Sequence, residues 1–94
     1  MPDWTFLTNH AHVLLCIARD PGIRLRDVAT RVGITERAAQ RIVADLTESG
    51  YLTATREGRR NHYQLHPTLP LRHPLERDHQ IGEILAVLAT PPDR

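Results

Sequence analysis

Arg37, Gln40 and Arg41 fall at spacings of three and four, which puts them on one side of a helix if the segment is helical. A second basic group, Arg56, Arg59, Arg60, Asn61 and His62, crowds around Gly58. These are donor-rich side chains. A guanidinium can bond bidentately to a phosphate or to guanine O6 and N7, and a carboxamide can bond to adenine N6 and N7. The other reactive types do not assemble. His10 and His12 are two apart, on different helix faces, and with one cysteine in the chain no C-x-x-C pair exists to complete a metal site with the histidines. The single cysteine, Cys16, has no second thiol, falls near an apolar stripe, and is expected to be a buried, inert thiol. No nucleophile elbow, carboxylate pair or glycine-rich phosphate loop occurs. The sequence therefore predicts no enzyme, cofactor or metal.

The elements that would position the two basic groups can be read outward from them. Leu25, Val28, Ala29 and Val32 share one helix face. Gly33 then stands where a left-handed cap is wanted, since it has no Cβ to clash. Thr35 is a good N-cap for a second helix, although Ala38 leaves the capping box incomplete, and Glu36 suits the positive end of the helix dipole. Ala39, Val43 and Leu46, with Ile42 on the shoulder, face inward. Thr35, Glu36, Arg37, Gln40, Arg41 and Ala44 face outward. Two helices joined by a tight turn containing glycine make a helix-turn-helix, whose second helix fits a major groove.

Ser49-Gly50 ends that helix. Tyr51 to Arg56 alternates as a strand, Glu57-Gly58-Arg59-Arg60 turns, and Asn61 to His66 returns with Tyr63 and Leu65 inward. A hairpin with a basic tip after a helix-turn-helix is a wing, suited to phosphates or to the minor groove.

Before this device, a helix is expected from about Thr8 to Arg19, stopped by Asp20-Pro21-Gly22. Ile23 and Arg24 could form a short extended piece pairing with the hairpin. After it, the prolines Pro67, Pro70 and Pro74 impose a connector, and a last helix is expected over 75–90, stopped by Pro91-Pro92. Its stripe of Ile81, Ile84, Leu85 and Leu88, with Trp4 and Phe6 from the other end of the chain, reads as a dimer interface. Packing of the same helix on Trp4 and Phe6 within one subunit is the alternative.

Ninety-four residues, 40% of them hydrophobic, suit one small domain: a mainly α fold with a small β-hairpin, core about 8–66. The net charge of +1 is small, so its distribution matters more than its sum: acids such as Asp3, Asp20, Asp78 and Asp93 lie outside the device. One cysteine, no secretory pattern and no apolar run near the ~20 residues of a membrane span point to the cytoplasm, on the nucleoid, with no membrane partner.

From Val13 to Leu65 the chain resembles winged-helix regulators of the MarR and ArsR type. The resemblance is carried by LRDVATRVGITERAAQRIVADLTESGYL followed by TREGRRNHYQLHP. It implies a dimeric bacterial or archaeal transcription factor that lays its second helix in the major groove. The Cys-rich motif of ArsR-type metal sensors is missing. The expected partners are double-stranded DNA and a second copy of the chain, the expected role is that of a repressor on an inverted repeat, and any small-molecule effector is left open. The alternative is a winged helix serving as a protein-interaction module in a larger assembly.

Overall fold

The computed structural model describes residues 4–89. Asp3, Asp93, the Pro91-Pro92 stop and the last position of the expected 75–90 helix lie outside the described residues. The elements run α1 (Asn9–Arg19), α2 (Leu25–Val32), α3 (Glu36–Glu48), β1 (Leu52–Glu57), β2 (Arg60–Leu65) and α4 (Ile81–Leu88). This is a winged helix-turn-helix.

Each helix starts and stops for local reasons. Thr8 caps α1 by accepting from the Ala11 N–H, and Asp20 Oδ1 accepts from Gly22 N–H in the turn that ends it. Gly33 ends α2 with φ of 87°, a conformation costly for a residue with a Cβ. Its N–H bonds to the Ala29 carbonyl at 2.8 Å. Thr35 Oγ1 then accepts from Ala38 N–H at 3.0 Å, which opens α3. Periodicity decides what is buried. Val13, Leu14 and Ile17 of α1, Val28 and Ala29 of α2, and Ala39, Ile42, Val43 and Leu46 of α3 form one core with Leu52 and Tyr63 of the hairpin. Ile42, expected on the shoulder, is fully part of this core.

The hairpin is antiparallel, with Leu52 opposite Leu65 and Glu57 opposite Arg60. The two-residue loop Gly58-Arg59 has positive φ only at glycine, 65°, the arrangement of a type II′ turn. Among the described residues the sheet has two strands, so Ile23-Arg24 is not a third. The loop is tied to the hairpin by single bonds instead: Tyr63 N–H donates to Pro21 O at 3.0 Å, and Ile23 is buried beneath.

The C-terminal region corrects two expectations. The last helix begins at Ile81, well after 75, because the connector doubles back and takes up the backbone groups ahead of it. Leu71 N–H donates to His79 O, Ile81 N–H to Leu69 O, and Gly82 N–H to Pro67 O. A capping box of Gln80 and Glu83 then starts the helix. Nor is the whole stripe left for a second chain. Ile81 is buried in this chain's own core, and Ile84 and Leu85 pack partly against it. Arg19 donates to the Leu88 carbonyl at 2.8 Å, which fastens the end of α4 to α1. Apolar surface remains at Val87 and Leu88, and at Trp4 and Phe6, which form an edge-to-face pair with centroids 5.0 Å apart. Phe6 is 92% exposed, so the pair is not packed on α4.

Candidate nucleic-acid interface

The outward face of α3 is built by its inward one. With Ala39, Ile42, Val43 and Leu46 fixed in the core, the pitch of the helix leaves Thr35, Glu36, Arg37, Gln40, Arg41 and Ala44 exposed. The Thr35 oxygen is occupied by the cap, which leaves its hydroxyl proton to donate. Arg37, Gln40 and Arg41 have no side-chain partner among the described residues. The ion pairs found there are His10 with Asp45 and His79 with Glu83, and neither involves an arginine. Three donor-bearing side chains near the N-terminal end of a rigidly seated helix can thus bond to base edges or phosphates without first breaking a contact.

At the wing, Arg56 lies opposite Asn61 beside the turn, and Arg59 sits in it. Thr55 Oγ1 donates to the His62 carbonyl at 3.1 Å, which braces the ladder. Two residues of the expected tip are set back from it. Arg60 donates to the Gly22 carbonyl and so ties the wing to the loop between α1 and α2. The His62 Nδ1 lies 3.8 Å from where a Cβ would stand at Gly22, beside that loop rather than at the turn. The fold also brings in a residue that sequence spacing missed. Arg24, at the start of α2, lines a cleft of about 360 Å³ together with Arg59, Arg60 and Asn61. Only the return of the chain through the hairpin makes Arg24 a neighbour of Arg59, so no local pattern could have found it.

The remaining candidates stay apart from this face. Burial pushes the Cys16 thiol above its ordinary value of 9.0, although Arg31 and Arg19 pull the other way, so it holds its proton at neutral pH. Among the described residues no group of three or more His, Cys, Asp or Glu side chains is placed to hold a metal ion. None of their helices is long and apolar enough to cross a membrane. A separate groove of about 360 Å³ runs between the N-terminal segment, α1, the end of α3 and α4. Phe6, Leu14, Leu46, Tyr51 and Ile84 supply its apolar walls, with Arg72 and Glu76 among its polar lining. The Tyr51 hydroxyl donates to Pro70 O at 2.6 Å and closes one side.

Comparison with known proteins agrees with this geometry. Residues 8–53 match the family described as winged helix-turn-helix DNA-binding. No curated protein matches the chain. Among solved structures, the PcaV transcriptional regulator of Streptomyces coelicolor, solved with its natural ligand, is 28% identical with a TM-score of 0.56. That alignment covers 64% of this chain and 45% of the regulator. A MarR family protein of Mycobacterium tuberculosis, solved with salicylic acid, is 17% identical with a TM-score of 0.58, covering 88% of this chain and 58% of that one. The chain therefore spans about half the length of these solved neighbours, and the second likeness is one of fold. With the Gly33 turn, the seated α3 and the wing all in place, the chain has the fold of the winged helix-turn-helix DNA-binding family that its residues 8–53 match.

Proposed function

We propose that the chain is a sequence-specific transcriptional regulator that binds duplex DNA as a homodimer and represses by occupying an inverted-repeat operator. The observation that carries this reading is the exposed, unpartnered set Arg37, Gln40 and Arg41 on a helix whose opposite face is locked in the core. In the major groove, Arg41 or Arg37 pairs with guanine and Gln40 with adenine. The wing, through Arg56 and Arg59, rides the backbone or the adjacent minor groove. Glu36 lies at the same end of α3 and opposes non-specific phosphate binding, which favours selectivity. Such a protein works in the cytoplasm, on the nucleoid.

For the dimer, the apolar surface left after folding at the two ends of the described chain is Trp4, Phe6, Val87 and Leu88, with the outer edges of Ile84 and Leu85; Leu75 of the connector is exposed as well. Two recognition helices would then address successive major grooves, about 34 Å apart. The solved neighbours hold small molecules, and in this chain the groove between Phe6, Leu46 and Ile84, with Arg72, Asp45 and Glu76 in its lining, is the space suited to a small apolar ligand.

Selection of bound sequences from a random DNA pool tests the reading. Enrichment of an inverted repeat with half-sites about 10 base pairs apart is the expected result. Recovery of no sequence above background, with no salt-dependent binding, would sink it. That outcome would favour the second reading, a winged helix that docks on proteins.

A further inference from the structure

The cleft between the α1–α2 loop and the wing is not explained by base readout from α3. It is concave, and its cationic lining is Arg24, Arg59 and Arg60, with Asn61 beside them and no acidic side chain. Arg60 is already engaged with the Gly22 carbonyl and forms part of the wall. Arg24 and Arg59 have no partner among the described residues, and both are exposed. Arg24 follows the buried Ile23, and its own side chain makes no cap bond to α2, so nothing in the fold consumes its guanidinium. Two like charges in one concave space repel each other and focus a positive field, and an anion between them relieves the repulsion. The planar forks of two guanidinium groups suit a phosphate in particular. Arg59 also belongs to the wing turn, so the cleft is continuous with the surface that faces DNA.

We propose that this cleft seats a backbone phosphate of the duplex, gripped by Arg24 and Arg59. The protein's footprint thereby extends from the wing onto the loop before α2. The proposal rests on the duplex-binding reading above, and its test separates the two.

The assay is fluorescence anisotropy of a labelled mixed-sequence duplex of about 30 base pairs, with the full chain, over a potassium chloride series. Each phosphate contact contributes about 0.9 to the slope of log affinity against log salt. Arg24→Gln and Arg59→Gln should each weaken binding and flatten the slope. The double variant should lose about 0.9 in all rather than twice that, because one phosphate is shared. Arg77→Gln, which removes an equal charge from the connector, should change the slope by less than either single variant. Thermal melts matching the wild type show that the variants are folded. Wild-type slopes in Arg24→Gln, alongside an affinity loss in Arg41→Ala, would overturn the seat and leave the DNA reading standing. Inorganic phosphate binding that needs both arginines, with duplex affinity unchanged in the double variant, would assign the cleft to a free anion and also overturn it. A wild-type chain whose duplex affinity ignores salt would overturn both readings.

Discussion

Gly82 decides how much of α4 is available to another molecule, and Gly82→Ala tests that. A Cβ at this position would stand 2.8 Å from both the Cβ and the carbonyl oxygen of Pro67. Ordinary contact begins at 3.4 Å, so α4 and the connector must separate by about 3.4 − 2.8 = 0.6 Å. The carbonyl cannot turn aside, because the Gly82 N–H is bonded to it at 2.9 Å. Overpacking of this kind costs about 1–3 kcal/mol. Alanine recovers about 0.5–1 kcal/mol of helix preference over glycine, so at the middle of both ranges the clash wins and the net loss is about 1 kcal/mol. For a domain of this size that lowers Tm by about 4–8 °C, read by circular dichroism. Sedimentation of the same variant should show more self-association, since lifting α4 uncovers Ile81, which is only 8% exposed in the intact fold. A Tm equal to or above that of the wild type would refute the close approach of α4 to Pro67. The stripe from Ile81 to Leu88 would then be open to a second chain, as the sequence alone suggests.

Thr35→Ala removes the cap on Ala38 N–H and should cost about 0.5–2 kcal/mol in a denaturant titration, with the m-value unchanged. Arg41→Ala should lose about 1–3 kcal/mol on a selected site and less on random DNA; equal losses would reduce Arg41 to a phosphate contact. Trp4→Ser with Phe6→Ser should shift the intact chain toward monomer in sedimentation at micromolar concentration, and an already monomeric wild type would refute the dimer. The start of α4 should also respond to pH. The hydrogen bond to Glu83 raises His79 above its ordinary 6.5, while the Gln80 N–H, followed by His79, lowers Glu83 below its ordinary 4.5. The His79 contribution is complete below 6.5 and lost as pH rises past the raised value; the Glu83 contribution is complete above 4.5 and lost as pH falls past the lowered one. His79→Ala should therefore melt below the wild type most clearly between pH 4.5 and 6.5, and the gap should close toward pH 9. Both side chains are more than half exposed and the contact is screened, so a gap that survives 1 M salt unchanged would contradict this account.

What the sequence settled by itself was local. The Gly33 cap, the Thr35 N-cap, the inward faces of α1 to α3 and the glycine turn of the wing each depend on one residue's φ, one side-chain bond or one period, all readable over a few positions. The outward face of α3 followed from them, because Arg37, Gln40 and Arg41 must point away from Ala39, Val43 and Leu46. Tertiary structure decided whatever joins residues distant in sequence. The connector took the backbone partners that a helix from 75 would have used, so α4 begins at Ile81 and that residue enters the core. The loop at Gly22 captured Arg60, a residue that spacing alone places at the tip with Arg59. Arg24 reached Arg59 only after the chain had passed through two helices and a strand. Periodicity reports which face of an element is apolar, but not what that face will meet. The same isoleucines and leucines read equally well as a dimer stripe or as the last piece of a core, and only the competition for partners in the folded chain separates them.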